Sequence, residues 1–385
     1  MLRWQAGGSG VTKVSFSIER GALLPALAAV NRAVEKRNTI PILGNVLLTI
    51  ENGELCVTGT NLDIEVKSVA KQDGLPGIGP FTVQSGLLHD AVSKFADGSV
   101  VTFEGDETHV NIESGRSRFR LQVLPATDFP EMSAGEFTHE FALPGNVLAR
   151  VLSTVAFAIS TEETRYYLNG VFMHNDGEHL AFVATDGHRL AHMKLEAPAG
   201  SAGMPPIIVP RRTVALLQHF AKGDEDIVLK ISDRKIRIIL SDGTAITSKL
   251  IDGTYPEYQR VIPANNDKTY IVEREELAGA INRVSTVSSE RGRAVKFSFG
   301  PSELKMEVTN PDSGQAEDSI VVTEGHDNEV TIGFNHKYCL DVLGAVSAKK
   351  MRFELSDPGA PCKVSPVGAE DCDVPPLFVI MPMRV

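Results

Sequence analysis

Apolar residues recur along this chain with the two short periods of secondary structure, and the whole pattern then repeats. Leu23, Leu27, Val30 and Val34 step by 4, 3 and 4. Leu148, Leu152, Val155 and Ile159 take the same steps 125 residues later, and Leu277, Ile281 and Val284 begin the series again. Such spacing draws one apolar stripe on a 3.6-residue helix. A second helix is predicted about 65–70 residues after each first one, on the pairs Val92/Phe95, Leu217/Phe220 and Leu343/Val346. Strands are predicted directly after them, at 100–103, 227–230 and 351–354. Between the helices the period drops to two. The runs 45–50 with 54–58, 170–174 with 179–185, and 295–299 with 303–309 alternate β-branched and polar residues. Polar turns such as Glu51-Asn52-Gly53 and Asn175-Asp176-Gly177 join them, which predicts hairpins.

The long period is visible in Pro130, Pro256 and Pro382, which fall 126 residues apart. Each third therefore reads as two helices on about six to eight antiparallel strands, an α+β unit. The expected organisation is a flexible Gly/Ser leader at 1–12 and three like domains at 13–138, 139–266 and 267–385. Each sheet has edges, and exposed edges invite pairing. A head-to-tail row of such units either closes into a ring or ends in capped edges, and periodicity leaves both open.

Composition narrows the function. The 385 residues carry 38 Lys and Arg against 49 Asp and Glu, a net charge of −11. Bulk positive charge is thus excluded as a source of nucleic-acid affinity, although local basic patches are not. No apolar run reaches the length of a membrane helix, and the first twelve residues lack a secretory signal's apolar core. Four scattered cysteines without a CxxC predict reduced thiols in a cytoplasmic protein.

Candidate chemistry is sparse. Arg165-Tyr166-Tyr167 suits phosphate contact or base stacking; the plainer reading buries one tyrosine and exposes the other. Thr185-Asp186-Gly187-His188-Arg189-Leu190 carries an acid and an imidazole, but no serine or cysteine nucleophile lies near them in sequence. A turn with a capping Asp186 and a surface His188 explains it more simply. His174, His179, His188 and His192 suggest a metal-dependent enzyme, and His188 and His192 have the i, i+4 spacing of a zinc pair. That spacing needs a helix, and the segment reads as strand. Ser347-Ala348-Lys349-Lys350 matches SxxK without its companion motifs. No metal, cofactor or catalytic residue is therefore assigned. The second helices of repeats two and three are cationic (Arg211, Arg212, His219, Lys222; His336, Lys337, Lys349, Lys350) in an anionic protein. A shared positive face crossing phosphates would bind DNA weakly and without sequence preference. The apolar end 378–385 reads as a strand followed by an adaptable, methionine-rich rim.

Several strings together resemble one family. They include Thr39-Ile-Pro-Ile-Leu-Gly-Asn45, Ser114-Gly-Arg-Ser-Arg-Phe119, Arg165-Tyr-Tyr-Leu-Asn-Gly170, Ala184-Thr-Asp-Gly-His-Arg-Leu-Ala191, Thr247-Ser-Lys-Leu250 and Met381-Pro-Met-Arg384. In this order, through all three repeats and over residues 13–385, the chain resembles the bacterial DNA polymerase III beta subunits, the sliding clamps. The resemblance implies a head-to-tail homodimer that closes a six-domain ring around duplex DNA. It implies a non-catalytic processivity factor tethering the replicative polymerase, and binding the clamp loader and repair proteins through linear peptides. The acidic balance fits a topological link, because strong attraction to DNA would brake sliding.

By the same resemblance a peptide cleft is lined by Leu168, Thr185, Gly187, His188, Arg189 and Leu190. Pro256, Arg260 and Val261 add a wall with Tyr338 nearby, and Val379, Ile380, Met381, Pro382 and Met383 close it. DNA contacts map to Arg37, Tyr166, Tyr167, Arg211 and Arg212. The ring interface sets Arg116, Arg118 and Phe119 of one subunit against Thr286 and Val287 of the other. The run Asp312–Asp318 is less acidic than the family's usual partner for those arginines, and the chain ends in Val385 where leucine is common. The two readings outside the family are the histidine-metal enzyme and a repeat scaffold unrelated to DNA.

Overall fold

The computed structural model describes residues 14–35, 39–132, 135–289, 293–368 and 374–385. The leader, Arg37 and Cys372 lie outside them. Among the described residues each repeat supplies two α-helices and eight strands. The helices are α1 (Arg20–Asn31), α2 (Ser85–Ser93), α3 (Gly145–Ala156), α4 (Arg211–Phe220), α5 (Arg274–Val284) and α6 (His336–Gly344). The apolar stripes read from the sequence are their buried faces. Leu23, Leu27 and Val30 are buried on α1, Leu148, Leu152 and Val155 on α3, and Leu277, Ile281 and Val284 on α5. Val34 and Ile159 are buried just beyond the helix ends.

Helix ends are finished by side chains. Leu87 N–H donates to the Gln84 amide oxygen (2.6 Å) at the start of α2, and Lys337 N–H donates to Asn335 (3.0 Å) at the start of α6. Arg20, at the head of α1, donates to the carbonyls of Val92 (3.1 Å) and Ser93 (3.0 Å) at the end of α2. Arg274, at the head of α5, does the same to Leu343 (3.3 Å) and Ala348 (2.8 Å) around the end of α6. A cation at a helix C-terminus satisfies orphan carbonyls and opposes the helix dipole. In the second repeat the corresponding position is Gly145, which has no side chain to cap α4; the backbone bond it makes, N–H to the Glu225 carbonyl (3.0 Å), has counterparts from Arg20 to Ser99 and from Arg274 to Lys349.

The chain forms two compact units. The first holds residues up to Phe137 together with Asp226–Ile231 and Lys235–Lys249; the second holds Thr138–Glu225, Ser232–Arg234 and Leu250–Val385. In the first unit the strand Ile64–Ala70 of repeat one pairs antiparallel with Ala245–Lys249 of repeat two. In the second, Arg189–Glu196 of repeat two pairs antiparallel with Leu377–Ile380 of repeat three. Within each unit, antiparallel strand pairing thus crosses a repeat boundary.

Two strands are only half covered. Ser117–Leu124 pairs along His109–Ser114 on one side, but its other side meets Phe81–Gln84 only at Val123 and Leu124. Gly314–Glu324 pairs with Glu303–Asn310 along Gly314–Val321, while its other side meets Lys268–Glu273 only from Val322 onward. Among the described residues, 117–122 and 314–321 each present an open strand edge.

Candidate functional site: a buried aromatic cluster and its exposed margins

Within the second unit, a buried cluster of Leu168, Val183, Leu190, Ile208, Tyr255, Tyr258 and Val379 forms a floor. Phe172 stacks on Tyr255 with centroids 4.6 Å apart and planes 2° from parallel. Leu168 ends the 3-10 segment Glu163–Leu168, and Tyr258 opens the 3-10 segment Tyr258–Val261. Pro256, Arg260 and Val261 are exposed in and just before that second segment.

One rim is the turn between His179–Thr185 and Arg189–Glu196. Asp186 accepts from the N–H groups of His188 (2.9 Å) and Arg189 (3.0 Å), and Thr185 Oγ1 accepts from Gly187 N–H (3.1 Å). Gly187 has φ +87°, and a Cβ there would sit 2.5 Å from the Arg165 guanidinium. The positive φ favours glycine there, and a larger residue would also have to displace the end of the Arg165 side chain. His188 is exposed, as a turn residue should be.

Arg189 points the other way. Its side chain is 11% exposed. Nε donates to Asp186 (3.1 Å), Nη2 to the Phe157 carbonyl (2.7 Å), and Nη1 to Asp341. The guanidinium carbon lies 4.5 Å above the Tyr338 ring and 5.1 Å from the Phe157 ring centroid. A planar, fully charged group with a fixed fork of donors suits this combination of anions, carbonyl and ring faces. Asp186, Asp341 and Phe157 are therefore part of the site's frame, although sequence reasoning gave them no such role.

The other rim is the chain's C-terminal segment. Arg189 pairs with Ile380 and Leu190 with Val379. Beyond the strand, Met381 N–H donates to the His188 carbonyl (2.9 Å) and Met383 N–H to the Gly333 carbonyl (2.8 Å). Met381 and Met383 stay 38% and 37% exposed. Of the residues named from the sequence, Leu168, Leu190 and Val379 belong to the buried cluster, and His188, Met381 and Met383 are exposed beside the strands that reach it.

The other candidates are distributed as follows. Tyr166 is 53% exposed while Tyr167 packs against the floor cluster; the rings meet edge-on at 5.8 Å. Arg211 and Arg212 are the first two residues of α4, and Arg211 N–H donates to the Asn169 carbonyl (3.0 Å). Phe119 is exposed on the open edge 117–122, edge-on to Phe95 at 5.8 Å, with Arg116 and Arg118 exposed beside it. Thr286 is exposed and Val287 half-buried, in the 3-10 turn after α5. Asp318 is held by Arg283 (2.6 Å), which keeps its carboxyl below the usual range.

The four histidines do not converge. His179 faces Asp176 at 3.6 Å, His188 is on the rim, and His174 and His192 lie under the floor. His188 lies in the turn before the strand Arg189–Glu196 and stacks toward Tyr338, while His192 lies within that strand against Tyr258, so their i, i+4 spacing does not bring them to one metal. His174 Nε2 hydrogen-bonds Tyr258 Oη (2.9 Å), while His192 Nε2 is buried without a partner. Burial lowers the pKa of both imidazoles, His192 to about 4. Tyr255 and Tyr258 are raised by burial, Tyr258 to about 12. The floor is a neutral layer at physiological pH. Cys56, Cys339 and Cys362 are free and buried.

Three tandem α+β repeats, paired strand to strand across repeat boundaries, define the class of the sliding clamps. Models of the N-terminal, central and C-terminal domains of the DNA polymerase III beta subunit match residues 14–133, 142–257 and 259–384. The beta sliding clamp of Caulobacter vibrioides is 41% identical over 382 residues, covering 97% of this chain and all of the relative. That of Escherichia coli is 36% identical over 377 residues, with the same coverage of this chain. The crystal structure of a sliding clamp from Bartonella birtlesii bound to griselimycin superposes with a TM-score of 0.91 at 43% identity, over 97% of this chain and 100% of that one. The chain belongs to the DNA polymerase III beta subunit family.

Proposed function

We propose that this chain is a beta sliding clamp that encircles duplex DNA and holds DNA polymerase III on it, acting as a non-catalytic accessory subunit in the cytoplasm. The observation that carries the reading is the ordered match of all three clamp domain models across residues 14–384. Among the described residues no helix is long and apolar enough to cross a membrane. Ring closure is proposed to come from a second copy, head to tail, through the open edges 117–122 and 314–321. Two unpaired antiparallel edges complete each other by main-chain hydrogen bonds. Phe119 and Val321 supply exposed apolar contact beside those edges, and Thr286 and Val287 flank the second. Phe119→Asp should raise the dimer dissociation constant at least tenfold, read by light scattering over a dilution series; a variant as dimeric as the parent would move the interface elsewhere.

The cleft is proposed to receive linear peptides of the polymerase, clamp loader and repair proteins. A buried aromatic and aliphatic floor with a polar rim accepts Leu or Phe anchors and one hydrogen-bonding side chain. DNA is proposed to pass Tyr166, Tyr167, Arg211, Arg212 and Arg37. The test is fluorescence polarisation with a labelled Gln-x-x-Leu-Phe peptide. Met381→Ala with Met383→Ala should weaken it about tenfold and leave the dimer intact. Undiminished affinity would remove the tail from the site.

A further inference from the structure

The strand Val330–Asn335 ends its sheet. One side pairs with Ala294–Phe299, where Gly333 faces Lys296. The other side carries a single isolated bridge, Gly333 to Met383. Ile332 and Phe334 point into the core and are fully buried, so Gly333 belongs to the strand's opposite face.

A glycine in mid-strand weakens the strand and marks a close approach of another backbone. Gly333 is not there for its dihedral freedom, since its φ lies outside the left-handed region. What excludes a side chain is the tail. A Cβ at 333 would overlap the Met383 carbonyl oxygen and Val385 Cγ1, with Val385 Cγ2 at 3.2 Å. The terminal valine occupies the volume that any other residue at 333 would fill.

We propose that Gly333 is a positioning residue for the peptide cleft: its missing side chain is the seat on which the C-terminal segment is locked, with Val385 as the plug and Met381 and Met383 presented at the rim. The tail is then fastened at two points, the His188 and Gly333 carbonyls, 145 residues apart in sequence. Loss of the second point leaves Met383 without its backbone anchor, and the rim loses its fixed geometry. The inference rests on the peptide-cleft reading for its functional consequence, but not for the seat itself.

The test uses the full chain and three variants: Gly333→Ala, the deletion of 381–385, and both together. Labelled Gln-x-x-Leu-Phe peptide should bind Gly333→Ala at least fivefold more weakly than the parent. In the deletion background Gly333→Ala should change nothing further, because the seat then has no occupant. The seat is read independently by methyl NMR of the methionines. The Met383 resonance should move toward its free-peptide position in Gly333→Ala, while those of the buried Met306 and Met351 stay. Val385→Gly, which leaves the sheet untouched, should shift Met383 the same way and guards against a folding defect in the alanine variant. An unmoved Met383 in both variants overturns the proposal, as does a Gly333→Ala defect that persists undiminished in the deletion background. If Met383 moves as expected but the parent binds no peptide, the seat stands and the cleft reading falls.

Discussion

Arg189→Ala should lower the unfolding free energy by about 3–5 kcal/mol, the range for removing one partner of a buried ion pair. The guanidinium links three segments far apart in sequence: the turn at Asp186, the end of α3 at Phe157, and α6 through Tyr338 and Asp341. Its loss leaves the Asp186 carboxylate, 17% exposed, without its ion-paired partner and removes the donor to the Phe157 carbonyl. Asp341 is half exposed and rehydrates, so Asp341→Ala should cost only about 1 kcal/mol. In the double variant the effects should fall short of additive, since Asp341 no longer has Arg189 to lose. Urea unfolding of the four proteins measures all three quantities. A loss under 1 kcal/mol for Arg189→Ala would mean that the packing of α6, not the cation, holds the rim in place. Peptide binding should fall with stability, because the His188 carbonyl that anchors Met381 follows Arg189 directly in the turn.

The contrast between what was legible and what was not runs through this same residue. The helix stripes could be read because their period is local: Leu148, Leu152 and Val155 meet one another's surroundings within three turns. The Asp186 turn could be read for the same reason, since Asp186 bonds residues two and three ahead. Nothing local announces that Arg189 will find Asp341, 152 positions away. Nor does local pattern separate His174 and His192 from a metal set. Only the strand register sends them beneath Tyr258 while His188 stays on the rim.

The repeat itself carries one more piece of information, which becomes readable once register is known. In the first unit Lys249 N–H donates to the Asp63 carbonyl (2.8 Å), following the pair Ile64–Ser248. In the second, Met381 N–H donates to the His188 carbonyl (2.9 Å), following Arg189–Ile380. Asp63 and His188 are 125 residues apart, so these are the same junction built twice. Its side chains differ. Lys249 and Asp63 form an ion pair (3.1 Å) in the first, and Met381 stands free in the second. A hydrated ion pair offers an apolar peptide no desolvated surface. The same backbone device thus carries an ion pair at one junction and an exposed methionine at the other.

Acidification should weaken the second unit through its floor, and His192→Leu should remove much of that sensitivity. Burial holds the His192 pKa down at about 4, with Lys194 and His174 adding to the effect and Asp176 opposing it. The folded state therefore keeps a neutral imidazole where the unfolded chain, with an ordinary value of about 6.5, takes up a proton. Protons bind preferentially to the unfolded state between pH 6.5 and 4. The contribution is complete above pH 6.5 and is lost as pH falls through that window, reaching about 2 kcal/mol at pH 5. His174, also lowered by burial, adds in the same direction. The buried Nε2 of His192 is unpaired beside the Tyr258 ring, so a leucine of similar volume forfeits no hydrogen bond from that atom. Urea midpoints at pH 7.5 and pH 5 give the comparison. The parent should lose about 2 kcal/mol more than His192→Leu across that interval, because carboxylates elsewhere titrate alike in both. Equal losses would show that the imidazole is hydrated and titrates normally. With the expected difference, Tyr258 and the 3-10 segment Tyr258–Val261 above it would be the first part of the cleft to loosen in acid, since protonated His192 must be accommodated beneath that ring.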